Sequence, residues 1–254
     1  MSPFSTDRYG AELEGQTAAL AGLLRGADMS RTVATCPEWT LTDLARHVGL
    51  LYRRAAEIID RRSSRRVAMD DVPDPHMPDG DDARSAWLQA GVARLERAVR
   101  DAPPDVEIWS FLGARRPAFW LRRMVCEAAV HRGDAAITCG ARFELAPELA
   151  ADVISEALDV VPRVAARRGE TAPTETLHVH ATDEGLGAAG EWFVARADGG
   201  VRVEQRHAKG DVAVRGPASE LLLVLLRRLP PTAPGVDVVG DTSALDRWLD
   251  TMRF

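Results

Sequence analysis

Glu127 and His131 stand four residues apart in a segment whose apolar residues, Leu121, Met124, Val125, Ala128 and Val130, recur at helical spacing. Positions i and i+4 of a helix share one face, with Cβ atoms roughly 5–6 Å apart, so a carboxylate and an imidazole there can bind one ion. The neighbours Val125, Ala128, Ala129 and Val130 are apolar, which predicts at least partial burial. A carboxylate in such a place needs a partner, because an unpaired buried charge is costly. His47 lies among Leu44, Val48, Leu50 and Leu51 on a second helical segment. If the two segments pack together, two histidines and one glutamate converge as the three-ligand set of an open metal site. The plainer alternative is a hydrogen-bonded core histidine beside an ordinary i,i+4 pair, and spacing by itself leaves both open.

Other candidates are weaker. His178 and His180 are at i and i+2 of a strand, so they face one side and could bind a metal with Asp183. A turn-stabilising hydrogen-bond network around His180 and Asp183 is the preferred expectation. His76, in an aspartate- and proline-rich loop, and His207, at a strand end, read as solvated. Cys126 precedes Glu127 and points about 100° away from it around the helix, so it reads as packing. Cys36, before a proline at a helix entrance, also reads as structural. The pairs Arg115–Arg116 and Arg122–Arg123 flank the Glu–His pair and could meet a carboxylated cofactor, although a solvated face is the default.

Helices must position these groups. Leu13, Ala18, Leu20, Leu23 and Leu24 mark a helix over about 6–25, with Gly26 as its stop. Thr40-Leu41-Thr42-Asp43 is a capping box that opens a second helix running to about Asp60. Four arginines in 61–66 and six aspartates with three prolines in 70–82 read as one solvated loop. A third helix is predicted over about 82–100, a fourth from Pro117 towards Gly140, and a further connecting helix over about 147–168. Beyond Gly169 the pattern changes to strands over 176–181, 191–196, 201–206 and 211–215. Ala197-Asp-Gly-Gly-Val201 is a hairpin signal. A helix over 218–229, a strand over 236–239 and a final amphipathic helix over 243–252 complete the chain. A run of helices followed by a run of strands indicates two domains, 1–145 and 146–254, rather than interleaved βαβ units.

Composition narrows the class. The 254 residues are 46% hydrophobic and 28% charged, an ordinary globular mixture. A net charge of −6 argues against nucleic acid as a partner. Lys209 is the one lysine among 32 basic residues, which reads as a coding bias towards arginine. Three cysteines spread over the chain make a disulfide framework unexpected. The first ten residues lack a basic flank and an apolar core, and the longest apolar run, Leu221–Leu226, is far shorter than the ~20 residues that span a bilayer. The expectation is a soluble cytoplasmic protein, monomeric or homodimeric, with small-molecule partners.

Cys36-Pro37-Glu38-Trp39-Thr40, leading to Asp43-Leu44 and His47, resembles the CPGWT-x-x-DL-x-x-H opening of the mycothiol-dependent maleylpyruvate isomerase family, within the DinB-like superfamily. Arg122-x4-Glu127-x3-His131-Arg132-x-Asp134 resembles that family's second motif. The segments His178–Asp183, Val214–Leu223 and Val238–Asp241 resemble parts of its second domain, so the likeness runs from about residue 5 to residue 250. Glu38 departs from the commoner glycine.

The resemblance implies an α+β protein: a DinB-like four-helix bundle followed by a small α/β domain similar to sterol-carrier-type folds. It implies a divalent metal held by His47, Glu127 and His131, zinc first, with nickel or iron as alternatives, and mycothiol as thiol cofactor. It places an arginine of the second domain in the active-site cleft; the match falls on Arg228, with Arg227 in place of the family's glycine. A guanidinium there could hold a substrate carboxylate bidentately, in a cleft expected between the two domains. Isomerase or S-transferase chemistry on a small carboxylated electrophile follows. A metalloenzyme that activates water without a thiol, and a non-catalytic metal-binding regulator, stay open, although a purely structural zinc site normally has four protein ligands.

Overall fold

A computed structural model describes residues 3–198 and 200–252. The chain divides into two compact units, one reaching to Phe143 and the other beginning at Glu144.

The first unit is a bundle of α1 (Thr6–Leu24), α2 (Leu41–Asp60), α3 (Asp81–Asp101) and α4 (Pro117–Cys139). Helix α1 packs on α3 and α4, and α2 packs on the same two. Helix α2 starts where its capping box dictates: Thr40 Oγ1 accepts from the Asp43 N–H, and Asp43 accepts from the Thr40 N–H. Its inward face, from Leu41 through Leu44, Val48 and Tyr52 to Ile58 and Ile59, is fully buried. Thr17 Oγ1 on α1 and Tyr52 Oη on α2 meet in this interior at 2.9 Å. Gly49 lets α3 approach closely, since a Cβ there would stand 2.0 Å from the Trp87 ring. Helix α4 opens on Pro117 in its first turn and closes on Gly140 at φ 69°, a backbone conformation suited to glycine.

Two features depart from expectation. A short hairpin of β1 (Thr32–Val33) and β2 (Cys36–Thr40) precedes α2. Proline at 37 and so short a pairing hide it from a periodicity reading. The charged loop is also less solvated than its composition suggests: Val67 and Val72 are buried. Arg53, itself 2% exposed, ties the loop down through Asp74 at 2.9 Å and the Trp87 carbonyl at 2.9 Å.

The second unit holds α5 (Pro147–Arg167), β3 (Leu177–Ala181), β4 (Glu191–Ala197), β5 (Gly200–Glu204), β6 (Val212–Gly216), α6 (Ala218–Leu225), β7 (Asp237–Gly240) and α7 (Thr242–Thr251). The strands form one sheet in the order β5-β4-β3-β6-β7, parallel only between β3 and β6. The pairing Ala197↔Gly200 closes the expected β4–β5 hairpin, whose turn residue Gly199 lies outside the described residues. Leu177, Val179, Trp192, Val194, Val212 and Val214 form the buried face. Helices α5, α6 and α7 supply the apolar residues that cover it, among them Ile154, Leu222 and Trp248. The fold is mixed α+β, helices first and sheet second.

Helix α6 stops at Leu225, four residues before the expected end. Arg227 adopts φ 61°, and the Arg228 and Leu229 N–H groups both donate to the Leu223 carbonyl, so the chain turns out of the helix there. Among the described residues, Asp183 does not join the expected network with His180. Its Oδ2 accepts from the Ala218 N–H at 2.7 Å and caps α6 instead.

Candidate metal centre

Helices α2 and α4 bring His47, Glu127 and His131 together. One ligand atom from each lies within 4.8 Å of the other two. Glu127 Oε2 is 3.2 Å from His131 Nε2 and 3.9 Å from His47 Nε2. Ligands bound tetrahedrally at ~2.0–2.1 Å stand roughly 3.3 Å apart, so small side-chain adjustments would close this trio around an ion. Two borderline imidazoles and one carboxylate suit zinc, nickel or iron, and affinity order does not choose among them. His131 is 6% exposed, whereas the His47 side chain is 33% exposed, so the site opens to solvent on the His47 side.

Partners hold each ligand in position. His131 Nδ1 is 2.9 Å from Asp134 Oδ2, on a carboxylate that is wholly buried and also accepts from the Thr35 hydroxyl. With Nδ1 so engaged, Nε2 is the atom turned towards Glu127. Such carboxylate–histidine pairs typically set the tautomer and ring orientation at metal sites. Arg123, one turn before Glu127, pairs with Glu127 Oε1, leaving Oε2 as the oxygen facing the histidines. Trp39, at the end of β2, lies over the imidazoles with ring centroids 4.6 Å from His47 and 5.8 Å from His131.

The electrostatics follow from this crowding. Burial works against a charge on Glu127, but Arg123 first, then the hydrogen bonds of His131 and His47, hold its carboxyl well below the usual range. Burial likewise works against a charged His131, yet Asp134 and Glu127 outweigh it and push the ring up to about 9. Both carboxylates favour the protonated imidazole, so a dication binding at this position would compete with that proton.

Arg123 departs from the solvated-face default. It is buried, 8% exposed, and directed at Glu127, so it does not lie on a solvated face. Arg122 is half-buried. Cys126 is buried, as its place on the helix suggests. Arg228 lies in the second unit just past α6, its Nη1 donating to the Leu226 carbonyl at 2.7 Å. Asp134, Trp39 and Thr35 had no assigned role. Asp134 could have been found from its i,i+3 spacing to His131, and Trp39 from its place in the Cys36–Thr40 motif.

Residues 11–136 match the family described as mycothiol maleylpyruvate isomerase N-terminal domain, and residues 148–247 match its C-terminal counterpart, the MDMPI C-terminal domain. The chain belongs to the mycothiol maleylpyruvate isomerase family. Two solved structures share the fold: the mycothiol-dependent maleylpyruvate isomerase, and a histidine-to-alanine mutant described under the same name. Each is 13% identical to this chain, with TM-scores of 0.60 and 0.62, and each match covers 94% of this chain and 95% of the other. No curated protein matches the chain. Family membership indicates a thiol-dependent isomerase. Among the described residues, no helix is long and apolar enough to cross a membrane.

Proposed function

We propose that the protein is a divalent-metal enzyme using mycothiol, as a cis–trans isomerase or S-transferase acting on a small carboxylated electrophile. The observation that carries this reading is the convergence of three ligand atoms, two of them oriented by dedicated partners, beside a solvent-open edge. His47 and His131 would bind through Nε2 and Glu127 through Oε2. A bound dication would lower the pKa of a coordinated thiol enough to hold it as thiolate near neutral pH.

The chain's own residues do the rest. Two neutral imidazoles and one carboxylate leave a dication with a net charge near +1. The Arg123 cation and the Asp134 anion offset one another, so the centre stays cationic and favours a thiolate. Trp39 covers the two imidazoles and keeps water from that side. Both protein ligand sets sit on helices rather than loops, which limits how far they can drift from the geometry. Arg228 serves as the anchor for a substrate or cofactor carboxylate, a role that rests on the family resemblance at Arg227–Arg228. Arg122, beside the Glu–His pair, is the group for a carboxylated cofactor, a role that rests on its position alone.

Titration of cobalt-substituted protein with mycothiol tests the proposal. A sulfur-to-metal charge-transfer band is expected, absent in Glu127→Ala, which should also lose its metal. No spectral change on adding thiol, with turnover that persists without it, would replace this reading by a thiol-free metalloenzyme.

A further inference from the structure

The second unit contains another convergence of ligand groups. His178 and His180 lie on one face of the central strand β3. Glu191, the first residue of β4, is the cross-strand partner of His180, so the antiparallel register puts its carboxylate on that face. His207 comes from the connection between β5 and β6. Glu191 Oε2 is 2.8 Å from His178 Nε2 and 2.8 Å from His207 Nδ1. One ligand atom from each of these three residues lies within 4.8 Å of the others. His180 Nε2 faces the second carboxylate oxygen, Oε1, at 3.9 Å, too far for a hydrogen bond. The rings crowd together, with His178 and His180 each within 5.0–6.1 Å of His207 by centroid.

We propose that His178, Glu191 and His207, with His180 as an available fourth ligand, form a second transition-metal site, one that takes a zinc-class dication. Three imidazoles directed at a single carboxylate exceed what one ordinary His–Glu hydrogen bond requires. The separations fall close to the roughly 3.3 Å between tetrahedral ligands at ~2.0–2.1 Å, so little movement is needed to admit an ion. Preorganisation comes from the sheet, since three of the four groups sit in paired strands and only His207 is on a loop. The exposure gradient gives an ion a way in: His178 is 5% exposed, whereas the His207 side chain is 73% exposed. An ion there would fasten the 205–211 connection to the sheet. Imidazole-rich donors with one carboxylate favour zinc, nickel or copper over calcium or magnesium.

Zinc content of metal-stripped protein after equilibration with Zn²⁺ decides the matter. Wild type should carry one zinc more than His207→Ala, whose exposed side chain can be removed with the circular dichroism spectrum unchanged. Glu191→Gln should lose the same zinc. If that variant fails to fold, His180→Ala supplies a second reading, through weaker competition against a chromophoric chelator. Loss of a direct ligand should weaken binding at this site by about 100-fold or more, since partners one step further from a metal already cost 10–100-fold. Equal zinc content and equal chelator competition in wild type and His207→Ala would overturn the proposal. Glu127→Ala reports separately on the helical site: it should keep the zinc that His207→Ala loses.

Discussion

Asp134 Oδ2 lies 2.9 Å from His131 Nδ1, one turn further along α4, and so commits the opposite ring nitrogen to the Glu127 side. The carboxylate is fully buried and also receives the Thr35 hydroxyl, so its orientation is set by two elements rather than one. Asp134→Asn keeps the shape while removing the charge that supports the ring. Metal affinity should fall by about 10- to 100-fold, measured by chelator competition, with little change in secondary structure. Unchanged affinity would mean that His131 is oriented by packing alone.

Arg123 and Glu127 form a largely buried ion pair whose negative member also faces the candidate metal position. Arg123→Met leaves that carboxylate less compensated in metal-free protein, at a cost of roughly 1–3 kcal/mol for an unsatisfied buried group. A dication restores compensation. The rise in Tm on adding metal should therefore be larger in the variant than in wild type. A metal-induced rise no larger than that of wild type, joined to a raised KM for thiol, would return Arg123 to a cofactor-binding role.

Gly49 faces the Trp87 ring, and a Cβ there would stand 2.0 Å from it. The indole cannot simply swing aside, because the Arg53 guanidinium stacks on it at 3.9 Å and its Nε1 donates to the Asp74 carbonyl at 3.2 Å. Gly49→Ala should destabilise the bundle by about 1–3 kcal/mol, read as a lower denaturation midpoint with an unchanged slope.

Arg227 holds φ 61° where α6 ends, a conformation that costs a non-glycine residue ~1–2 kcal/mol. Part of that gain is offset by the flexibility of glycine in the unfolded chain. Its ion pair with Asp250 at 2.8 Å is exposed on both sides and contributes little. Arg227→Gly should therefore stabilise by roughly 0.5 kcal/mol, and Arg227→Ala should not stabilise at all. Differential scanning calorimetry of the two variants separates them.

Arg228→Ala should leave metal content and folding unchanged while lowering kcat/KM by about tenfold or more, as expected when a desolvated carboxylate contact worth ~2–5 kcal/mol is truncated. Arg227→Ala should have a far smaller kinetic effect. Equal kinetics in both would leave Arg228 as a residue that only caps its own helix through the Leu226 carbonyl.

Residue order alone determined the helical elements and the division of labour between them. Capping at Thr40–Asp43, proline at 117 and glycine at 140 act within one or two turns, so local sequence suffices to place α2 and α4. The same local logic put Glu127 and His131 on one face, because helical spacing is a property of the backbone. Tertiary packing decided what spacing could not. His47 joins the pair only because α2 lies against α4, and Trp39 covers them only because a hairpin too short to announce itself ends above both rings. Arg123 turned inward, since a buried carboxylate one turn away outweighs solvation of the guanidinium. The second cluster shows the limit most plainly. His178 and His180 were visible as a same-face pair, but Glu191 is added by strand register and His207 by a loop that folds back. Groups eleven to twenty-nine residues apart in the chain meet through long-range pairing, which no periodicity within a single segment encodes.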